Sequence, residues 1–183
     1  MELVKNFKQS KLAKNILLAL IGTIILAISA KIKIPFYPVP MTMQTFVVLL
    51  IGFTFGWKLG GATIILYLFE GMIGLPVFSG TPEKGVGLIY FVGPTMGYLI
   101  GFLSACYLAS FINSKDNLLK IFIKLIISVS TIYLLGVFWL GTLIGWEKPI
   151  YSLGVAPFLL AELFKILLLT LIAKKIIKFR NFI

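Results

Sequence analysis

The sequence is poor in the residues on which much enzyme chemistry depends. None of its 183 residues is histidine, and only one, Cys106, is cysteine. These absences exclude histidine-dependent catalytic triads, intramolecular disulfides and ordinary zinc sites. Charged residues make up only 13% of the chain, compared with roughly 25% in a soluble domain. Apolar residues make up 60%, compared with about 45–50% in a soluble domain, so the composition indicates an integral membrane protein.

Apolar runs separated by charge, Gly and Pro divide the chain into six candidate membrane spans. They cover approximately residues 12–30, 43–57, 60–74, 94–112, 118–143 and 153–173, and the second and third meet at a tight turn over 56–60. A crossing helix needs about 20 apolar residues, so six spans leave room only for tails and loops. The runs are continuous rather than alternating, which indicates helices. We therefore expect an all-α integral membrane protein with six transmembrane helices, one domain over residues 1–183 and irregular outer loops.

The distribution of basic residues predicts the orientation of these spans. If the N-terminus is cytoplasmic, twelve of the seventeen Lys and Arg residues flank the cytoplasmic ends, four lie outside and Lys165 lies within a span. This bias favours a plasma-membrane protein with both termini in the cytoplasm. The net charge of +11 is then a belt that attracts anionic membrane lipid. Nucleic-acid binding is not expected, because no stacking aromatics alternate with the basic residues.

The first span carries a stripe of small residues that predicts a contact surface. Ala19, Thr23 and Ala27 recur at every fourth position and allow another helix to approach closely. Because the span is terminal, we expect this stripe to face a partner protein. The same segment also resembles a cleavable signal peptide with a site after Ser29, but a disposable segment needs no such stripe, so we expect the span to be retained.

Two further small-residue ridges predict close packing between helices. Gly93, Gly97, Gly101, Ala105 and Ala109 follow each other at every fourth position in the fourth span. Glycines at 52, 56 and 60 form a shorter ridge around the tight turn. We expect both ridges to pack inside the chain rather than against a partner. Gly93 and Pro94 are expected to cap and begin the fourth span.

The outer loops are long and rich in proline and aromatic residues. Three prolines within residues 34–40 exclude a helix there. The next outer loop, at about 75–92, has the length and composition of a lid over a binding site, although a passive connector fits the same pattern.

One ionisable pair lies inside the last span. Glu162 and Lys165 are three residues apart and therefore share one helical face. A charge at membrane depth costs at least about 2.5–3.5 kcal/mol, so such residues normally face a partner or a cavity. The pair predicts either a structural ion pair or a polar ligand site. Glu70, near the end of the third span, is expected to be interfacial.

Four blocks in order give the chain a resemblance to a known family. Pro38-Val39-Pro40-Met41-Thr42-Met43-Gln44-Thr45, Gly74 to Phe78, Gly93 to Phe102, and Pro157 to Lys165 resemble the BioY family, the biotin-specific S components of energy-coupling factor (ECF) transporters. The family usually has Pro-Gly-Asp where this chain reads Leu160-Ala161-Glu162.

The resemblance implies a substrate-binding subunit that takes up biotin with no cofactor of its own. It also implies a transmembrane scaffold subunit and paired ATPase subunits as partners, with the small-residue face of the first helix against the scaffold. No P-loop motif occurs in this chain, in agreement with ATP hydrolysis in a separate subunit rather than an enzyme activity here. The expected biotin ligands are Glu162, Lys165, Thr42, Gln44, Phe36, Tyr37, Phe78, Ser79, Tyr90 and Tyr98, and no metal ligands are expected.

Three alternatives to biotin uptake stay open at this point. The chain could be an S component for another vitamin or small ligand. A small intramembrane enzyme acting on lipid would need a base, nucleophile or metal cluster, which the sequence lacks. A stand-alone carrier driven by an ion gradient would favour an internal repeat, and no convincing one is present.

Overall fold

The protein is almost entirely helical. The computed structural model describes residues 2–83 and 85–182, with side chains for residues 11–83 and 85–180. The α-helices are α1 (Glu2–Lys31), α2 (Gln44–Met72), α3 (Met96–Ala109), α4 (Leu118–Ile144), α5 (Ile150–Gly154) and α6 (Leu159–Ile176). Short 3-10 helices cover Gly87–Val92, Ala156–Phe158 and Ile177–Phe182. Two short antiparallel strands, β1 (Lys33–Ile34) and β2 (Met41–Thr42), pair Lys33 with Thr42.

Among the described residues, four helical segments are long and apolar enough to cross a membrane, judged by length and composition alone. They are Lys11–Lys31, Gln44–Met72, Leu118–Ile144 and Ile150–Arg180, and α3 is shorter. In the most apolar part of α2, 56% of residues are buried within the protein, compared with 28% in the first segment and 33% in the last two. The helix α2 is therefore central. The outer helices expose large apolar side chains such as Leu134, Phe164 and Leu171, which suits contact with lipid.

The helix α2 folds back on itself at Gly56. The Gln44 Nε2 atom donates to the Tyr67 hydroxyl at 2.7 Å. In a straight helix, a separation of 23 residues would place these groups about 35 Å apart. The chain reverses at Gly56, whose φ of 73° and ψ of 174° are not helical. Positive φ favours glycine, and an added Cβ would lie only 3.0 Å from Arg180 Nη2. The predicted segments 43–57 and 60–74 thus correspond to the two arms of α2.

The two ends of the helix bundle are built differently. One end, here called the Gly56 end, contains Gly56, Ser110 and Arg180, and the Arg180 Nη1 atom donates to the Ser110 carbonyl at 2.9 Å. The opposite end, here called the pocket end, contains the β1–β2 ribbon and residues 73–95. The Lys31 ammonium at the end of α1 donates to the carbonyl oxygen of Phe78, which places α1 beside this second segment.

Small residues bring the central helices into backbone contact, which confirms the prediction of packing inside the chain. A Cβ added at Gly101 would lie 2.6 Å from the Cα of Ile132 on α4. A Cβ added at Gly52 would lie 2.6 Å from the Cys106 carbonyl oxygen on α3. The predicted start of the fourth span is two residues early. The helix α3 begins at Met96, and Gly93 instead uses its carbonyl to accept a hydrogen bond from Trp139 Nε1 at 2.8 Å.

The first-helix stripe faces inward, contrary to the prediction of an open contact surface. Ala19 and Thr23 are buried and Ala27 is half-buried. The Thr23 hydroxyl donates to Glu70 Oε1 at 3.0 Å, so the stripe contacts the second arm of α2. Small side chains permit this close approach, and the polar pair at its centre needs shielding from lipid. The exposed face of α1 carries larger residues such as Ile16. Within the described residues, Glu70 therefore helps to hold α1 against the second arm of α2.

Candidate functional site

The ionisable pair predicted on α6 forms a buried cluster at the pocket end. Glu162 and Lys165 are 5% and 6% exposed, and the Lys165 Nζ–Glu162 Oε1 distance is 2.8 Å. The Lys165 ammonium also donates to the Thr42 carbonyl at 2.6 Å and to Thr45 Oγ1 at 3.0 Å. The Thr45 hydroxyl donates to Glu162 Oε1 at 2.8 Å. A lysine ammonium has three N–H donors, so Lys165 is fully hydrogen-bonded within the protein.

The local sequence explains why the cluster forms at this depth. Pro157 lies in the 3-10 turn Ala156–Phe158, and α6 begins immediately afterwards at Leu159. Glu162 falls in the first turn of α6, where the helix dipole favours a negative charge. The spacing of three residues brings Lys165 to the same face. Strand β2 ends at Thr42, which turns its carbonyl oxygen toward the ammonium.

One oxygen of the carboxylate lacks a hydrogen-bond partner. Glu162 Oε2 is buried and accepts no hydrogen bond from any residue that the structure describes. The Tyr133 side chain, on α4, lies close enough to the same carboxylate to interact with it electrostatically, but it makes no hydrogen bond of ordinary length to Oε2. A buried, unpaired oxygen of a charged group costs free energy, unlike Oε1 with its two donors. An occupant with an N–H or O–H donor would remove that cost.

The carboxylate lies in the wall of a pocket between the helices and the two segments that cover the pocket end. The cavity is narrow in this structure, with about 50 Å³ of free volume, so its walls would have to move apart to hold a small molecule, whose sites typically measure roughly 300–1,000 Å³. Its polar wall is contributed by Thr42, Gln44, Thr45, Ser79, Tyr90, Thr95, Tyr98, Tyr133 and Glu162. Its apolar wall is contributed by Val39, Pro40, Met41, Leu99, Phe102, Ile132 and Phe158.

Protein contacts hold the polar side chains of this wall in place. The Tyr98 hydroxyl donates to the Gly154 carbonyl at 2.9 Å, and the Ser79 and Tyr90 hydroxyl oxygens are 3.3 Å apart. The Gln44 amide uses one of its two hydrogens on Tyr67, while its oxygen lies 3.3 Å from Thr42 Oγ1. The orientations of these polar groups are therefore fixed before a ligand binds, while the space between them is still narrow.

Six of the ten predicted ligand residues line this pocket, and four do not. The six are Thr42, Gln44, Ser79, Tyr90, Tyr98 and Glu162. Lys165 is absent from the wall because its ammonium is turned to Thr42 and Thr45. Phe78 is 1% exposed and stacks behind Tyr90, with ring centroids 4.8 Å apart. Phe36 contacts the outer side of the Phe158 ring at 5.8 Å, and Tyr37 is 86% exposed.

Ten of the sixteen wall residues were not predicted from the sequence, and three of them are the most informative. Thr45 joins Glu162 to Lys165, Tyr133 lies beside the carboxylate, and Phe158 lines the wall. The rings of Tyr98, Tyr133 and Phe158 form a chain, with centroids 6.0 Å and 6.2 Å apart. The sequence did contain a signal for Tyr133, because a tyrosine in the middle of an apolar span usually has a hydrogen-bond partner for its hydroxyl.

Comparisons with known proteins agree on one family. The BioY family model matches residues 4–182. The chain is 34% identical over 164 residues to a Pyrococcus horikoshii protein named "Probable biotin transporter BioY", covering 90% of this chain and 96% of that one. It is 33% identical over 166 residues to the Thermotoga maritima "Biotin transporter BioY", again covering 90% and 96%.

A solved structure supports the fold. The crystal structure described as the S-component for biotin from an ECF-type ABC transporter is similar with a TM-score of 0.76 and 24% identity, covering 92% of this chain and 93% of that one. The family match spans nearly the whole sequence, and the relatives are matched over almost their full length. The chain belongs to the BioY family.

Proposed function

We propose that this chain is the biotin-binding S component of an ECF transporter and captures biotin for uptake across the plasma membrane. One observation carries the proposal: a buried carboxylate oxygen, Glu162 Oε2, lacks a hydrogen-bond partner in the wall of the pocket. The names of the relatives from Pyrococcus horikoshii and Thermotoga maritima support biotin as the ligand.

The chemistry of biotin matches the distribution of groups in the pocket. Its ureido ring has two N–H donors, and one of them would donate to Glu162 Oε2 as a charge-assisted hydrogen bond. The second hydrogen of Gln44 Nε2 would donate to the ureido oxygen. The apolar sulfur-containing ring would pack against aromatic rings, including Tyr98 and Phe158.

The carboxylate tail of biotin requires hydrogen-bond donors at the other side of the pocket. The hydroxyl groups of Ser79 and Tyr90 in the pocket wall would supply them, whereas the Thr42 hydroxyl is turned to Gln44 Oε1. Lys165 would act indirectly, because its three donors hold Glu162, Thr45 and the Thr42 carbonyl. A negative tail and a buried Glu162 would then occupy opposite parts of the site, which limits their repulsion.

The proposal includes a topology and partners. Helices α1, α3, α4, α6 and the two arms of α2 would make six crossings in one domain, with both termini in the cytoplasm. The basic bias of the sequence supports this orientation. A transmembrane scaffold subunit and ATPase subunits would supply the energy for uptake, and the chain itself would need no cofactor.

Equilibrium binding of biotin to the detergent-purified chain tests the function. We expect the parent protein to bind and the Glu162→Gln variant to bind about 10- to 100-fold more weakly, because a hydrogen bond to a charged group is lost. Glu70→Gln is the matched control, since Glu70 is bonded to Thr23 outside the pocket. Lipoate, which has a similar tail but no ureido group, should not bind.

Two results would contradict the proposal. The parent protein would fail to bind biotin, or Glu162→Gln would bind as tightly as the parent. Thermal stabilisation of the protein by a different vitamin, but not by biotin, would identify an S component for another ligand.

A further inference from the structure

Two lysines connect the segments that cover the pocket. The first ribbon, residues 33–42, contributes Val39, Pro40 and two further residues to the pocket wall, and the second loop, residues 73–95, contributes Ser79, Tyr90 and Thr95. These segments are separated in the sequence by α2. A ligand in the pocket would therefore be enclosed by two independent pieces of chain.

Lys33 provides the hydrogen bond between these two pieces. Its ammonium on β1 donates to the Ser79 carbonyl at 2.6 Å. Within the described residues, no other hydrogen bond joins the first ribbon to the second loop. The side chain of the same Ser79 lines the pocket and lies 3.3 Å from the Tyr90 hydroxyl. The Lys33 contact thus fixes a wall residue of one segment against the other segment.

Lys31 holds the same loop from the end of α1. Its ammonium donates to the Phe78 carbonyl at 2.9 Å, to the Thr81 carbonyl at 2.9 Å and to Thr81 Oγ1 at 3.2 Å. All three donors of the ammonium are used on the second loop. The two lysines together bind carbonyl oxygens on both sides of Gly80, and Glu83 of the same loop attracts the Lys31 ammonium electrostatically.

We propose that Lys33, supported by Lys31, is a positioning residue that closes the two covers over the bound ligand and sets the rate of ligand release. This inference rests on the proposed function. A ligand can leave by the pocket mouth when the second loop moves away from the first ribbon, and that movement breaks the Lys33–Ser79 hydrogen bond. The main effect belongs to the dissociation rate, because the groups that contact the ligand are unchanged.

Dissociation of labelled biotin, chased with excess unlabelled biotin, tests the role of Lys33 on the full chain in detergent. We expect Lys33→Met to release biotin about tenfold faster than the parent, the change expected for one hydrogen bond to a charged donor. Lys33→Arg keeps a charged donor and should restore slow release. Lys148→Met is the matched control, because Lys148 is an exposed lysine in another loop of the pocket end and makes no side-chain hydrogen bond with the described residues.

Thermal unfolding without ligand separates positioning from a merely structural role. A structural role would lower the unfolding temperature and the fraction of active protein, while the surviving sites would release biotin at the parental rate. Lys31→Met is the second variant if Lys33→Met does not fold, and the same acceleration is expected.

The inference is overturned if the folded variants release biotin within twofold of the parental rate, or if both lysine variants fail to fold. Parental protein that binds no biotin at all would overturn the proposed function together with this inference. Binding by the parent with unchanged release in the variants would overturn this inference alone.

Discussion

The two oxygens of Glu162 have different surroundings, and this difference defines the site at the scale of single residues. Oε1 accepts hydrogen bonds from Thr45 and Lys165, whereas Oε2 accepts none within the described chain. The lysine orients the carboxylate through Oε1, and the open oxygen is left for a ligand. Buried ion pairs often contribute little net stability, so binding is a better reason for this pair than folding.

Removal of the lysine alone should be costly. We expect Lys165→Met to lower the free energy of unfolding by about 3–5 kcal/mol, because it leaves the buried Glu162 carboxylate without a counter-charge. The double variant Glu162→Gln, Lys165→Met should be more stable than Lys165→Met. Reversible unfolding in mixed micelles measures both values, and a Lys165→Met protein as stable as the parent would contradict the assigned geometry.

At the scale of elements, the packing of α2 against α3 depends on residues with small side chains or none. Gly52 faces the backbone of Cys106 and the Cβ of Ala109, which would lie 2.6 Å and 2.9 Å from an added Cβ. Close approach of helix backbones is the usual function of small residues in membrane proteins. The central position of α2 carries Gln44 and Thr45 to the site, so this contact also positions the ligand wall.

Two glycines of the same helix should respond differently to substitution by alanine. We expect Gly52→Ala to destabilise the protein by about 1–3 kcal/mol, because the Cys106 backbone cannot move aside easily. Gly61→Ala is the control, since no atom lies within 4 Å of its added Cβ. It should be neutral or stabilise the helix by up to about 1 kcal/mol. Thermal unfolding compares the two, and equal effects would argue against the tight contact.

At the scale of the whole molecule, the two ends differ in how they use positive charge. Lys31 and Lys33 at the pocket end are hydrogen-bonded to carbonyl oxygens of the second loop. At the Gly56 end, Lys124 pairs with Asp116 at 2.6 Å and Arg180 holds Ser110. The pocket-end lysines therefore hold a loop, whereas the Gly56 end combines an ion pair with a backbone contact and, by the sequence, carries most of the basic residues.

The proposed orientation can be tested with cysteine labelling in intact cells. A membrane-impermeant thiol reagent should label a Lys148→Cys variant and leave a Lys115→Cys variant unlabelled until the cells are opened. Both positions are exposed, whereas the natural Cys106 is 0% exposed and should give little background. The reverse labelling pattern would place the termini outside the cell.

The parts of the site that were predictable from the sequence are those that depend on local spacing. Glu162 and Lys165 share a face because any helix places residues three apart side by side. The sequence could not show that the Lys165 ammonium is turned away from the pocket, because its partners Thr42 and Thr45 lie about 120 positions earlier in the chain. Phe78 and Tyr37 were predicted as aromatic covers for the ligand ring, and the structure places Phe78 in the core and Tyr37 outward.

The sequence by itself determined that this chain enters a membrane as helices, because long apolar runs can satisfy their backbone hydrogen bonds in lipid only in that form. It also determined the reversal near Gly56 and the ionisable pair of α6, which depend on neighbours along the chain. Only the tertiary structure decided which oxygen of Glu162 is open, which face of α1 is buried and how Lys33 meets Ser79. These features depend on the rotation of each helix about its axis, and that rotation is set by packing between distant segments.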